Sequence, residues 1–257
     1  MKNNGKSASQ AFTLLELLVV LAILAVLASR LPSALAQTKQ KSARLTCANN
    51  LKQVGTAFRV WAGNHQDRYP MQVGSVLGGP FNQTQIIGPA GAIFTYQIFQ
   101  VMSNELNSTR IVVCPADDRL IGYSFRNGNV VANPLIAYAN ANLSYFVGRD
   151  ANETNPQMFL AGDRNLGQGG VPNTTPTTAL VNQTVGLGTN TLTMNQRNVG
   201  WTDRLHTKAG NVGLADGSVE QFTNSRFRES AGQTGDRGSG QPSQVVISPG
   251  GNVLLVP

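Results

Sequence analysis

The amino-acid sequence predicts an α+β protein in which a long N-terminal helix packs on an antiparallel β-sheet with long loops. Three observations support this prediction. An apolar run stands near the amino terminus, an amphipathic helical pattern follows it, and short β-type runs separated by turn residues fill the rest of the chain. The 257 residues, 41% of them hydrophobic, are enough for one sizeable core and an appendage.

The apolar run extends from Leu14 to Ala28, and the segment from Phe12 to Leu31 that contains it is 20 residues long. As a helix rising roughly 1.5 Å per residue it would be about 30 Å long, the thickness of a bilayer core. The residues before it carry two charges, Lys2 and Lys6, which favour a leader that stays in the cytoplasm. We therefore predict a single-pass membrane protein with a cytoplasmic amino terminus and an extracytoplasmic or periplasmic domain.

Glu16 is the one residue between Leu14 and Ala28 that is not apolar. A carboxylate inside a membrane helix costs about 2.5–3.5 kcal/mol on insertion scales, so such a residue normally has a partner and a function. An ordinary secretory signal is the alternative for this segment, with residues 34–36 (Ala-Leu-Ala) as a cleavage site before Gln37. That alternative gives Glu16 no role.

Residues 11–16, AFTLLE, resemble the processing site of type IV prepilins and type II secretion pseudopilins. In that family a prepilin peptidase cuts before the Phe and methylates the new amino terminus, and a Glu stands at the fifth mature position. The resemblance therefore implies cleavage between Ala11 and Phe12, N-methylation of Phe12, and a role for Glu16 in assembly. The family usually has Gly before the cut, where this chain has Ala11.

Cleavage before Phe12 would create a positive α-amine four positions from Glu16, still inside the apolar zone. In a bundle of such helices, Glu16 of one subunit can pair with the amine of Phe12 on its neighbour. Neither charge is then left unpaired at low dielectric, which would cost several kcal/mol. The pair would set the axial register between subunits.

The resemblance implies a structural subunit that assembles through its N-terminal helix into a type IV pilus-like filament or a type II secretion pseudopilus. The implied partners are the prepilin peptidase, sister pilin or pseudopilin subunits, and the inner-membrane assembly platform with its ATPase. Before assembly, the implied location is the bacterial inner membrane.

Helical periodicity resumes after Pro32, so this proline is expected to kink the helix rather than end it. From residue 37 to 64 apolar residues recur at steps of three and four, which predicts one buried face formed by Leu45, Ala48, Leu51, Val54, Phe58 and Trp61. Four segments are predicted: a cleaved leader over 1–11, a transmembrane helix over 12–31, an amphipathic helix over 32–65 and a β-rich extracytoplasmic domain over 66–257.

The predicted elements of that domain are short. Strands are expected at 110–113, 121–125, 130–132 and 135–147, with a hairpin turn at Asn127-Gly128, a short helix within 91–106, and a long loop or weak edge strands over 165–198. The clearest hairpin joins residues 211–215 to 218–222 through a type I′ turn at Asp216-Gly217. Residues 229–244 are expected to be a Gly/Ser-rich linker, followed by a last hairpin within 245–256.

Nine residues separate His206 from the Asp216-Gly217 pair. This spacing resembles the C-terminal signature of a pseudopilin-like branch, and Cys114-Pro115 and Gly162-Asp163 fit the same branch. The resemblance does not define what the His and Asp do. On the residues alone, Asp216 is a turn former and His206 anchors a loop, or the hairpin brings His206 near Asp163 or Asp216.

Some type II pseudopilins carry a structural calcium, which makes Asp163 and Asp216 candidate calcium ligands, with Asp117 or Asp118 as further oxygen donors. Ca²⁺ needs six to eight oxygens, and the sequence has no contiguous ligand loop. No other cofactor is expected.

Cys47 and Cys114 both lie outside the membrane in this topology, in an oxidising compartment. A disulfide between them would close a loop of 68 residues and add about 4 kcal/mol in the chain-entropy model. Two buried free thiols are the alternative.

The sequence does not predict an enzyme. It has two histidines, His65 and His206, and none of the Gly-x-Ser-x-Gly, His-Glu-x-x-His or P-loop motifs. The alternative function is a membrane-anchored extracytoplasmic binding module or enzyme that does not polymerise. Loss of the leader would remove two of the charges in the formal +7, and the remaining basic residues are scattered, so nucleic-acid binding is not indicated.

Overall fold

The fold is a long N-terminal helix followed by antiparallel sheets, so the predicted α+β class is confirmed. A computed structural model describes residues 13–80, 95–125, 140–171, 174–186, 198–233 and 253–257. The chain divides into two compact units, Met1–Ser42 and Ala43–Pro257.

Helix α1 spans Leu14–Gly63 and continues through Pro32. Its first turn is closed by a capping box: the Thr13 hydroxyl accepts a hydrogen bond from Glu16 N at 3.3 Å, and Glu16 Oε2 accepts one from Thr13 N at 3.0 Å. The large apolar side chains from Leu14 to Leu27 are 46–81% exposed. Within the described residues, no helix contains a stretch long and apolar enough to cross a membrane.

In the second unit, the end of α1 buries one face against the domain. Most of the predicted face is buried, including Leu51, Val54, Phe58 and Trp61. The prediction is wrong for Leu45, because this residue is 68% exposed and the buried face begins at Cys47. The 3.6-residue period therefore predicted the face but not the residue at which it begins.

A six-stranded antiparallel sheet forms the centre of the second unit, in the order β5-β9-β1-β2-β7-β8. Its strands are β1 Tyr145–Gly148, β2 Phe159–Asp163, β5 Gln183–Gly186, β7 Ala209–Leu214, β8 Val219–Thr223 and β9 Val253–Val256. A smaller sheet, β4-β3-β6, contains β3 Leu166–Gln168, β4 Thr178–Ala179 and β6 Gly200–Trp201. Three further α-helices lie in the described residues: α2 Thr95–Val101, α3 Ser103–Leu106 and α4 Asn224–Gln233.

Both faces of the central sheet are covered. Tyr145 and Val147 of β1 join the core that contains the buried face of α1, whereas Phe146 between them joins a second core with Trp201 and Phe227. Strands β1, β2 and β7 are consequently buried at every residue. A helix on one face and a small sheet with α4 on the other thus enclose the middle strands.

Several local predictions are wrong. Residues 110–113 are not a strand, because Thr109–Val112 form a 3₁₀ helix in which the Ser108 hydroxyl accepts a hydrogen bond from Arg110 N. The predicted linker begins inside α4, and β9 pairs with β1 and β5 rather than forming a local hairpin. The turn at Asn127-Gly128 lies outside the described residues.

The hairpin of β7 and β8 forms as predicted, with Asn211 opposite Gln221. Its turn is not type I′, which requires two residues with positive φ. Gly217 has a φ of +82°, whereas Asp216 is outside the left-handed region. Leu214 N donates instead to Ser218 O, closing a longer turn.

Candidate functional site

His206 lies on a strained loop between β6 and β7. Leu205, Thr207 and Lys208 all have positive φ, a conformation that costs non-glycine residues about 1–3 kcal/mol each. Asn165 holds this loop: its side-chain amide donates to Arg204 O at 2.9 Å and to Ala209 O at 3.1 Å. The fixed loop directs the His206 side chain into the core, where the residue is 7% exposed.

Asp163 ends strand β2 and is fully buried. Its Oδ2 accepts hydrogen bonds from Asn211 N at 2.6 Å and from Asn211 Nδ2 at 3.0 Å. The same oxygen lies 3.4 Å from His206 Nε2. Asp163 Oδ1 has no hydrogen-bond partner. Neighbouring strands β2 and β7 therefore supply the carboxylate and the groups that orient it.

Cys47 of α1 and Cys114 form a disulfide, and Cys114 Sγ lies 3.4 Å from His206 Nε2. Two sulfurs, an imidazole and a carboxylate consequently meet in the core, with all four atoms within 4.8 Å of one another. We call these four side chains the buried cluster: Cys47, Cys114, Asp163 and His206.

Burial governs the protonation of the cluster. It raises the pKa of Asp163 from 3.8 to about 7, even though the hydrogen bonds from Asn211 lower it. Burial also lowers the pKa of His206 from 6.5 to about 4, and the positive charge of Arg44 lowers it further. Both side chains are therefore neutral across the interval between these two values.

The two shifts compensate each other in the pH dependence of stability. In the folded chain the pair holds one proton between about pH 4 and 7, on the Asp163 carboxyl. In the unfolded chain the ordinary pKa values of 3.8 and 6.5 also leave the pair with one proton over almost the same interval, on the imidazole. Folding leaves the proton count nearly unchanged, so the pair adds little to the pH dependence of stability.

Arg44 supplies positive charge next to the cluster. Its Nη2 donates to the His206 carbonyl at 3.3 Å. Burial lowers the pKa of Arg44, and the nearby Asp163 opposes that shift. Arg44 thus belongs to the surroundings of the site.

Asp216 and Gly217 have structural positions in the described part of the chain. Asp216 is exposed, and its Oδ1 accepts a hydrogen bond from Ser218 N at 2.8 Å, as expected for a turn former. A Cβ on Gly217 would overlap the Arg59 guanidinium. Arg59 and Tyr69 both donate to Ala215 O, at 3.4 and 3.3 Å. The turn therefore docks on α1 and its continuation, while His206 contacts Asp163 instead.

The candidate calcium ligands do not converge. Among the described residues, the one group of three or more His, Cys, Asp or Glu ligand atoms is the buried cluster, which lacks Asp216. Asp117 is paired with Arg164, whose Nε and Nη2 donate to it at 2.7 and 2.5 Å. Sulfur and nitrogen donors around Asp163 do not suit Ca²⁺, which takes oxygen ligands.

The side chains that support the site were not predicted from the sequence. Arg164 and Asn165 directly follow Asp163 in the sequence. This polar run after an apolar strand was the sequence feature from which their role at the site could have been predicted. Asn211, which holds the Asp163 carboxylate, gave no such signal. The capping box was readable as Thr13-x-x-Glu16, a helix-start pattern that gives Glu16 a second role.

The two residues of the predicted processing site, Ala11 and Phe12, lie outside the described residues. Residues 6–29 match the family model of the prokaryotic N-terminal methylation motif. That match supports a type IV pilin-like protein, and the motif implies processing by a prepilin peptidase and assembly with other pilin subunits. No curated protein and no solved structure matches the chain.

Proposed function

We propose that the protein is a structural subunit of a type IV pilus-like filament or a type II secretion pseudopilus. In this proposal, residues 12–31 insert in the bacterial inner membrane, the peptidase cuts before Phe12, and the helix then enters the filament. The assembly platform and its ATPase drive that step. The observation that carries the proposal is the methylation motif at residues 6–29.

The exposed surface of the first unit supports a packing role. Between Leu14 and Leu27 the large apolar side chains are exposed around the whole helix rather than along one stripe. A helix that is apolar all round needs lipid or other helices as its surroundings. A membrane before assembly and a bundle of sister helices afterwards would provide both.

Glu16 fits a subunit contact. In the single chain its carboxylate accepts hydrogen bonds from the Thr13 backbone N–H and hydroxyl. Processing before Phe12 would place a new positive amine one residue from Thr13. A neighbouring subunit's amine can then use the carboxylate oxygen lone pairs that the capping box leaves free. The proposal therefore assigns Glu16 to helix capping in the precursor and to subunit register in the filament.

The substitution Glu16→Gln tests this assignment in cells that express the peptidase and an assembly machinery. Glutamine keeps the capping geometry but removes the charge, so we expect normal membrane levels and at least a tenfold loss from sheared filaments, since an unpaired buried amine costs about 3–5 kcal/mol. Glu220→Gln, at an exposed position of β8, is the matched control. Equal incorporation of Glu16→Gln and wild type would reject the role of Glu16.

A non-polymerising binding module or enzyme is the competing function. It would keep its activity when residues 1–36 are deleted, whereas a filament subunit would lose incorporation completely. The absence of the wild-type chain from every sheared filament fraction, in cells with an active machinery, would favour that alternative.

A further inference from the structure

The proposed assembly uses the N-terminal helix and leaves the buried cluster without a role. Its four side chains come from separate parts of the second unit: α1, the segment after the 3₁₀ helix, the end of β2 and the loop before β7. Burying a carboxylate and an imidazole has a free-energy cost, and Asp163 Oδ1 remains unpartnered in the core. An apolar core would avoid these costs, so we infer that the four side chains have a function of their own.

Two separations between ligand atoms suit a tetrahedral metal ion, and all the others are within 4.8 Å. Zn²⁺ binds thiolate sulfur at about 2.3 Å and imidazole nitrogen or carboxylate oxygen at about 2.0–2.2 Å, which separates neighbouring ligand atoms by about 3.3–3.8 Å. His206 Nε2 lies 3.4 Å from both Cys114 Sγ and Asp163 Oδ2. The disulfide sulfurs are closer than this, and their separation would have to increase on reduction.

The chemistry of the donors also selects zinc. Two thiolates with one imidazole and one carboxylate form a borderline-soft set, and the hard cations Ca²⁺ and Mg²⁺ take oxygen instead. With Zn²⁺ the site would carry a net charge of −1. The Arg44 guanidinium, which interacts electrostatically with Asp163 and donates to the His206 carbonyl, supplies a compensating positive charge.

We propose that the buried cluster binds one Zn²⁺ when its two cysteines are reduced, so that disulfide and metal are alternative ways of joining α1 to the sheet. The chain is synthesised with both thiols reduced, and metal binding then releases the thiol protons without any redox step. A disulfide oxidant later converts the two bound thiolates into the Cys47–Cys114 bond. The oxidant leaves as two thiolates, and Zn²⁺ is expelled.

The choice between a bound metal and a disulfide has a consequence for folding. All four ligands are buried, so the metal must enter while the chain folds rather than diffuse into the finished core. A zinc-bound intermediate would hold Cys47 and Cys114 close together before oxidation. It would thereby favour the disulfide within the chain over disulfides with other thiols, and it would protect both thiols from other reactions.

Metal content of the full chain in detergent tests the proposal. Protein is unfolded in guanidinium with a trialkylphosphine, which reduces the disulfide to two thiols and becomes its oxide, and is refolded without oxygen in the presence of ZnCl₂. We expect one tightly held zinc per reduced chain after gel filtration, and more than tenfold less in the oxidised chain. Equal zinc in both forms would overturn the proposal, as would no zinc in the reduced form.

Variants assign the ligands. His206→Gln, Asp163→Asn and the double variant Cys47→Ser/Cys114→Ser should each weaken zinc binding by more than tenfold, since even outer-shell changes cost about 10–100-fold. His65→Gln is the matched control, because this half-buried histidine stacks on Trp61 outside the cluster. Undiminished binding in the double cysteine variant would contradict the assignment.

X-ray absorption of the zinc-loaded wild type decides the question without any variant, in case one fails to fold. Two sulfur and two nitrogen or oxygen neighbours are expected, whereas a shell of nitrogen and oxygen alone would refute the site. Zinc binding is measured on the single chain, so its failure would leave the filament proposal intact, and failure to form filaments would leave the zinc site intact.

Discussion

Removal of the Cys47–Cys114 disulfide should cost the second unit much of its stability. The bond joins residues 67 apart in sequence and closes a loop of 68 residues. Loop closure of that length lowers the entropy of the unfolded chain enough to contribute about 4 kcal/mol of unfolding free energy. Domains of this size have about 5–15 kcal/mol in total, so the double variant Cys47→Ala/Cys114→Ala should lie near the limit of folding.

Guanidinium unfolding of the full chain in detergent measures this loss. Trp61 and Trp201 are buried in the two cores, so their fluorescence reports on both faces of the sheet. A chelator in the buffer excludes stabilisation by metal. We expect a loss of about 4 kcal/mol and a steeper denaturant dependence, because an unfolded chain without the cross-link exposes more surface.

The single variants provide the internal control. Cys47→Ala and Cys114→Ala each remove the whole bond, so each should lose nearly as much unfolding free energy as the double variant. Single losses that add up to the double loss would mean that packing of the sulfurs, and not the cross-link, stabilises the domain. A loss below about 1 kcal/mol in the double variant would refute the chain-entropy argument.

Two further predictions concern the surroundings of the cluster. Burial would raise the pKa of Asp117, but hydrogen bonds from Arg164 and Ser144 outweigh this effect and hold the pKa at about 2, below the ordinary 3.8. The ionised carboxylate therefore contributes about 2 kcal/mol to the free energy of unfolding above pH 4, and this contribution is lost as the pH falls through 2. The variant Asp117→Asn should abolish the corresponding fall of stability with pH in acid unfolding curves. Gly217→Ala should cost about 1–2 kcal/mol in thermal or guanidinium unfolding, because alanine disfavours the φ of +82°. An unchanged acid slope in the first variant, or unchanged stability in the second, would contradict these accounts.

Periodicity predicted the elements that have one buried and one exposed side. The face of α1 containing Leu51, Val54 and Phe58 follows the 3.6-residue period, and Asp216-Gly217 located the hairpin of β7 and β8. Strand β2 was harder to recognise, because it is covered on both faces and therefore lacks the alternation of a half-exposed strand.

The site could be predicted only in part, since its contacts are long-range. The sequence singled out His206, Asp163 and both cysteines, but spacing cannot show that residues 92 positions apart, such as Cys114 and His206, meet in the core. The wrong strand at 110–113 has a similar cause. Its apolar residues suit a strand, yet the Val112 carbonyl accepts its hydrogen bond from Ser144 N, which is remote in sequence.

The identity of the mature amino terminus shows whether the protein is a processed pilin-like subunit. Chain purified from the membranes of cells with an active prepilin peptidase is analysed by intact mass and by sequencing of the first residues. We expect a chain that begins with N-methylated Phe12 and retains Glu16. A mature chain that begins at Gln37, or one that keeps residues 1–11, would contradict the assignment as a processed pilin-like subunit.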